Sequence, residues 1–355
     1  MKSKKQKPGR RERKLVQLGA GILLFLLVIT TGWYLTSRRF ENWVRLKVIA
    51  ELQDITGGRV ELGSLHWKLS QLEIDIHDLT VHGLEPAGEL PYAHIDHLLV
   101  RLKILSLFAG DFGLRGLVAE RPVIHIMVGP AGATNQPMPI VVEKTQPTSV
   151  LRLFDLGVEH AEISAGELIW NDQHIPLNIE AEDVAAKLTY VTAARRFDGS
   201  VKIGKLGSYI QELRPFSSSI EAEFSLSKTA ADVTSLRWRS EGSALNFKGR
   251  VPDLSTLRLE GSYDFLLDLH QVGAITRTPE LRAGTLQMIG QGAFSLEEIS
   301  SRGKIFLRKA EWASPALHTP ALNLNADFAA DKTRWQLSRI VGNGFGGIFS
   351  GEGSW

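Results

Sequence analysis

From Arg59 onward, the chain repeats short segments in which apolar and polar residues alternate. In the segment from Gln71 to Val81, for example, Leu72, Ile74 and Ile76 alternate with polar residues. Successive side chains of a strand point to opposite faces of a sheet, so each segment predicts a strand with one apolar face. Glycine, proline, asparagine and aspartate separate the segments, as they do in turns. The chain is therefore predicted to be mainly β.

The apolar faces of these strands need cover, and the sequence offers few helices that could provide it. After Phe108, apolar residues almost never recur at the three- and four-residue spacing of an amphipathic helix. Two arrangements remain open: two sheets packed face to face, or one elongated, curved antiparallel sheet with an apolar groove. The residue pattern at 245–249 recurs at 347–351, which favours repeated strand units and hence the elongated sheet.

An apolar groove of this kind would bind the acyl chains of lipids. Exposing a chain of about fourteen methylenes to water costs about 11 kcal/mol, at about 0.8 kcal/mol per methylene. A long apolar trough therefore provides a path for lipid through water. The strand periods place six residues on the candidate lining, namely Leu72, Ile74, Ile76, Ile124, Ile126 and Val128.

An uncharged segment from Leu15 to Leu35 is long enough to span a bilayer as a helix. Residues 1–14 carry eight lysines and arginines and one glutamate, a net +7, and the whole chain carries +2, so the remainder carries −5. Cations beside a first membrane helix stay in the cytoplasm. We therefore predict a basic cytoplasmic tail over residues 1–14, a membrane anchor from Leu15 to Leu35, and the body across the membrane. A cleaved signal peptide and a buried soluble helix are the alternatives.

The part that follows the anchor is divided by a proline-rich segment. Apolar residues recur at helical spacing from Phe40 to Thr56, and Gly57 follows as a helix-ending glycine. Leu102 to Phe108 is predicted to form a helical turn between strands. Gln136 to Pro147 is interpreted as a linker or long loop. The predicted units are an N-terminal unit over residues 36–140 and a repetitive β tract over residues 141–355.

The sequence predicts no enzyme activity, cofactor, metal site or nucleic-acid partner. It has no cysteine, which excludes thiolate catalysis and disulfides, and its acidic body is unsuited to nucleic acid. His94 and His97 are spaced like ligands on a helix, but their context predicts a strand, in which they would face opposite sides. Asp75 and His77 share the polar face of a strand without a recognisable catalytic partner. The glycine-rich segment 342–347 is interpreted as a bend between strands.

Several motifs occur in a fixed order after the predicted helix. They are Thr56 to Leu65, Leu72 to Gly83, Val100 to Leu107, Leu114 to Ile126, and Gly132 to Asn135. In this order they resemble the N-terminal part of the AsmA-like family, which includes AsmA and TamB. The resemblance covers about the first 140 residues, and the later β tract matches in texture alone.

The resemblance implies a single-pass protein of the bacterial inner membrane, with a cytoplasmic N-terminus and a periplasmic body. It implies that the protein carries phospholipid between the inner and outer membranes and maintains the cell envelope. The alternative is a scaffold for outer-membrane protein assembly, of the TamB type, with a barrel-assembly partner. Family members are usually longer, so the chain is interpreted either as a piece of a longer protein or as a short member that acts with a partner. The family offers no catalytic motif.

Overall fold

The computed structural model describes residues 22–354 except 24, 28, 31, 69, 104–113, 139–153, 155, 156, 296–298, 317 and 320. The helices with defined bounds are α1 (Arg38–Thr56) and α2 (Leu269–Ile275). The strands are β1 Arg59–Lys68, β2 Glu73–His82, β3 Ala93–Leu102, β4 Leu114–Val128, β5 His160–Asp172, β6 Leu177–Val191, β7 Arg196–Ile210, β8 Phe216–Leu226, β9 Ala231–Ser240, β10 Ser243–Val251, β11 Leu259–Asp268, β12 Leu281–Phe294, β13 Ile299–Trp312, β14 Leu322–Asp331, β15 Trp335–Gly344 and β16 Gly347–Ser354.

All sixteen strands form one curved, unclosed sheet in which the strand order follows the sequence. The predicted mainly β, elongated architecture is therefore confirmed. The prediction of an antiparallel sheet is wrong at one pair, because β4 and β5 run parallel. A parallel pair needs a crossover of a dozen or more residues, and residues 129–159 between these strands provide that length. The sheet continues from β4 to β5, on the two sides of the predicted boundary, and the division into two units stays a prediction.

The two faces of the sheet do not follow a strict alternation along each strand. Leu62 and Leu65 of β1 are both buried although they are three residues apart, and they lie opposite Leu79 and Ile76 of β2. Between these partners Asp78 has a φ of 54°, which is uncommon for residues other than glycine. Positive φ recurs inside neighbouring strands at Arg121, Ala165 and Asp183. Such local breaks redirect the side chains that follow them.

Helix α1 covers one face of the sheet at the β1 end. The hydroxyl of Ser37 accepts a hydrogen bond from the N–H of Phe40 (3.3 Å), and Gly57, at a φ of 74°, donates to the carbonyl of Gln53 (2.8 Å). These caps explain where the helix begins and ends. The predicted helix from Phe40 to Thr56 is confirmed, with its start at Arg38. Its apolar residues pack on a buried cluster of Val60, Leu62, Leu65, Ile76, Leu79 and Val81.

Replacing Ile76 with alanine should destabilise this end of the sheet by about 3 kcal/mol. Ile76 is 2% exposed and belongs to the cluster beneath α1, so the substitution leaves a cavity. Faster hydrogen exchange of the α1 and β2 amides would measure the effect. Ile348→Ala is the control, because Ile348 is 84% exposed and should change stability by less than about 0.5 kcal/mol. Equal exchange rates in the two variants would contradict this view of the core.

The described residues between 22 and 35 are helical and precede α1. Their large apolar side chains are exposed, Leu23 by 70% and Phe25 by 65%. Within the described part of the chain, no helix combines the length and the apolar character needed to cross a membrane. The predicted anchor begins at Leu15, outside the described residues, and stays a prediction. The segments 102–108 and 136–147 also lie mostly outside the described residues.

Candidate functional site

A row of apolar residues and glycines crosses all sixteen strands on one side of the sheet. Each member lies directly opposite the next in the strand register, so all of them share this side. The row consists of Leu65, Ile76, Leu98, Ala119, Ile163, Ala186, Val201, Ala222, Leu236, Phe247, Tyr263, Gly290, Gly303, Phe328, Leu337 and Gly353. We name this side of the sheet the apolar face.

The adjacent row of residues points to the other side and is mostly polar. From β1 to β9 it consists of His66, Asp75, Leu99, Val118, Glu162, Lys187, Ser200, Glu223 and Ser235. From β10 to β16 it consists of Lys248, Ser262, Gln291, Arg302, Ala329, Gln336 and Ser354. We name this side the polar face. The one-sided character expected of single strands therefore extends across the whole sheet.

No second sheet packs on the apolar face of the described strands. Apart from pairing between neighbouring strands, the substantial contacts between described elements run from α1 to β1 and from α2 to β11 and β12. Of the two predicted arrangements, the described strands adopt the single sheet. Ile163 leaves 37% of its surface exposed and Trp335 leaves 41%. Members such as Phe247 (8% exposed) and Phe328 (3% exposed) are buried, so the apolar face meets water only in parts. Exposed apolar surface of this kind is typical of an interaction site.

Parts of the apolar face are covered by residues outside the sheet. Helix α1 covers the β1 end, and the ring of Phe154 contacts β6 and β7 farther along. The Phe154 ring lies 4.8 Å from that of Phe197 and 6.1 Å from that of Tyr190, both in edge-on geometry. As a result, Phe197 is only 1% exposed. No sequence period predicts the contact of Phe154, because it joins residues distant along the chain.

The first three predicted lining residues lie near helix α1. Leu72 occupies the turn before β2 and has a φ of 52°. Ile76 belongs to the buried cluster beneath α1, and Ile74 packs against that cluster. The docked helix therefore shields Ile76 from a ligand, which its sequence pattern could not indicate.

The other three predicted lining residues lie on β4, beyond the cover of α1. Ile124 pairs with Ala93 of β3, which packs against the apolar cluster, and the strand period places Ile126 and Val128 on the same face. Ile124 is 38% exposed, whereas Val128 is 8% exposed. Ile124 is therefore the most accessible of these three residues, and the lining role of all six stays a prediction.

Two hollows of the described structure lie mainly on the polar face. The first has a volume of about 1010 Å³, and β9 to β15 line it with residues such as Lys248, Arg250 and Arg302. The second has a volume of about 610 Å³, and its lining includes Lys187 and Glu223. These charged hollows therefore do not belong to the apolar face. A groove along the apolar face stays a prediction.

His94 and His97 both lie on the polar face, so the prediction that they face opposite sides is wrong. His94 Nδ1 lies 2.9 Å from the hydroxyl of Thr80, and His97 Nε2 lies 2.8 Å from Asp75 Oδ1. The alternation of side chains breaks at Asp78 of β2. This break lies between His77, the partner of His97, and Thr80, the partner of His94, so both histidines lie on the same side of the sheet. The predicted glycine-rich bend is confirmed, because β15 ends at residue 344 and β16 begins at residue 347.

Asp75 and His77 share the polar face, as predicted, and Asp75 joins a hydrogen-bonded network with His97. Burial favours the neutral form of Asp75, but hydrogen bonds from Lys68 and His97 outweigh it and hold the pKa of the carboxyl below its usual value. Burial lowers the pKa of His97, but hydrogen bonds to Asp75 and Glu120 outweigh it and hold this pKa above its usual value. The network therefore favours ionised side chains.

Neither a protein-family model nor a curated protein sequence matches the chain. The resemblance to the AsmA-like family therefore depends on the ordered sequence motifs and stays a prediction.

Proposed function

We propose that the chain is an AsmA-like protein, anchored in the bacterial inner membrane, that carries phospholipid between the inner and outer membranes along its apolar face. The observation that carries this proposal is the apolar row that continues through all sixteen strands, over which the described residues place no second sheet. The exposed members of this face, such as Ile163 and Trp335, leave apolar surface in water, and contiguous exposed apolar surface marks interaction sites.

The dimensions of the sheet suit acyl chains. Strands lie about 4.8 Å apart, so the sixteen strands extend the apolar face to roughly 70 Å along the pairing direction. Each methylene that leaves water for such a surface contributes about 0.8 kcal/mol. The polar face remains hydrated through charged pairs such as Lys187 and Glu162, whose Nζ and Oε1 atoms lie 2.9 Å apart. A lipid tail would therefore bind along the apolar face and not along the polar face.

The proposed membrane anchor is supported by the N-terminal sequence and by the residues that follow it. The uncharged run from Leu15 to Leu35 follows eight cations and favours a cytoplasmic N-terminus. Its described part is helical with exposed apolar side chains, and Trp33 is 77% exposed. Aromatic side chains of this kind settle at membrane interfaces. Because α1 begins at Arg38, the anchor would hold the β1 end of the sheet near the inner membrane.

Site-specific photo-crosslinking in cells tests the proposal. A photoreactive phenylalanine analogue at Ile163, on the apolar face, should yield a chain whose mass increases by that of one phospholipid. The same analogue at Ile289 is the control, because Ile289 lies opposite Asp264 and Lys304 on the polar face and is 44% exposed. Lipid adducts at both positions, or at neither, would contradict the proposal. Adducts with a polypeptide at Ile163 would favour the alternative assembly scaffold.

A further inference from the structure

Three side chains that commonly bind metals converge on the polar face of β2 and β3. His97 Nε2 lies 2.8 Å from Asp75 Oδ1, and His77 Nε2 lies 3.2 Å from the same oxygen. One ligand atom from each residue lies within 4.8 Å of the other two. These residues lie on the side of the sheet opposite to the apolar face, so what they bind is independent of the proposed lipid function.

The geometry of the sheet holds these three residues together. Asp75 and His77 are two residues apart in β2 and therefore point to the same side. His97 lies directly opposite His77 in the register of β2 and β3. The two imidazole rings are stacked, with centroids 4.7 Å apart and planes 9° from parallel. Paired strands, rather than a loop, thus position every donor, which favours a well-defined site.

We propose that Asp75, His77 and His97 bind a divalent transition-metal ion, for which zinc is the best match. Zinc binds imidazole nitrogen and carboxylate oxygen at about 2.0–2.2 Å, so the ligand atoms of a tetrahedral ion lie roughly 3.3 Å apart. The 3.2 Å between His77 Nε2 and Asp75 Oδ1 is close to that separation. The ring of His77 has to tilt out of the stack to face the ion, and its 44% exposed side chain has room to do so. Water supplies the remaining ligand.

The residues around the three ligands favour a cation. Glu120 Oε2 lies 3.2 Å from His97 Nδ1, so a protonated Nδ1 donates to this carboxylate. When the ion binds, Nε2 releases the proton that it donates to Asp75 Oδ1 and offers its lone pair to the ion. A carboxylate behind a metal-bound histidine orients the ring and strengthens the ligand. Lys68 Nζ lies 2.7 Å from Asp75 Oδ2, which leaves Oδ1 for the ion. With neutral imidazoles, the two carboxylates and one ammonium sum to a charge of −1.

Zinc titration of the full-length chain in mild detergent, monitored against a chromophoric chelator, tests the site. The wild-type chain should bind one zinc ion tightly. His77→Ala and His97→Ala should each weaken that binding by about 100-fold, and Glu120→Gln should weaken it by about 10-fold. His160→Ala is the control, because His160 Nε2 lies 3.4 Å from Glu162 without a second histidine in the cluster, and it should bind like the wild type.

Each variant is first unfolded in urea with chelator present. His77→Ala should keep the wild-type midpoint because its side chain is 44% exposed, whereas His97→Ala should lower the midpoint because it removes hydrogen bonds to Asp75 and Glu120. The proposal is overturned if His77→Ala and His97→Ala bind zinc as tightly as the wild type. It is also overturned if the wild-type chain binds no zinc at micromolar concentrations, because the cluster would then be only a hydrogen-bonded network.

Discussion

Ile163→Asp should weaken the binding of phospholipid to the protein by about 50-fold. Ile163 lies in the apolar row, between Ala119 of β4 and Ala186 of β6, and it is 37% exposed. A carboxylate at this position keeps its water and displaces about three methylenes of an acyl chain, which costs about 2.4 kcal/mol at about 0.8 kcal/mol each. Binding should therefore weaken by about 50-fold. Transfer of a fluorescent phospholipid between vesicles that contain the purified full-length chain would measure the effect.

Ile289→Asp is the matched control for this experiment. Ile289 has a similar exposure, 44%, but lies on the polar face between Asp264 and Lys304. The same change of side chain should therefore leave phospholipid transfer unchanged. If both aspartates slow transfer equally, a general effect of charge or folding explains the loss. If neither does, the apolar face at Ile163 does not carry the lipid.

The period-two pattern was sufficient to predict a β protein with one-sided strands, because the alternation of side chains is a local property of a strand. The end of α1 at Gly57 was predictable for the same reason, since a glycine at positive φ is a local signal. The parallel pairing of β4 with β5 was not predictable, because the long connection permits either direction. To predict this pairing, one would need to know which edge of β4 meets which edge of β5.

The candidate site was predictable only in part, because its faces depend on breaks that carry no sequence signal. Asp78 at a φ of 54° looks like any other polar residue of a strand, yet it shifts the alternation of β2 by one position. Across the ladder, His97 pairs with His77 before that break and His94 pairs with Thr80 after it, and both histidines lie on the polar face. The burial of Ile76 was equally hidden, because it depends on where α1 docks. Ile124, which no described helix covers, is 38% exposed, and its lining role stays a prediction.

Close approach between strands explains a band of glycines on the apolar face of β10 to β13. Gly261 lies opposite Gly249 on one side and Gly292 on the other. The ring of Phe247 lies over the first pair, since a β-carbon built on Gly249 or Gly261 would be 2.5 Å from its Cζ atom. Aromatic rings that lie over strand glycines fill the space that a side chain would otherwise occupy. The apolar face therefore remains continuous here without large side chains from every strand.

Gly261→Val should destabilise the centre of the sheet by about 3 kcal/mol. The valine β-carbon would overlap the Phe247 ring and the carbonyl oxygen of Lys248. A backbone oxygen cannot move aside without loosening the pairing of β10 with β11, so the overlap outweighs the higher strand propensity of valine, which is worth about 1 kcal/mol or less. A lower urea midpoint and faster hydrogen exchange in β10 to β12 are the expected measurements.

Gly351→Val is the matched control, because a β-carbon on Gly351 of β16 meets no atom within 4 Å. Valine should be tolerated there, since glycine in a strand costs roughly 0.5–1 kcal/mol relative to residues with a side chain. A wild-type urea midpoint in Gly261→Val would show that β10 and β11 do not approach as closely as the register implies. A lower urea midpoint in Gly261→Val alone would instead confirm that the Phe247 ring and the β10 backbone leave no room for a side chain at residue 261.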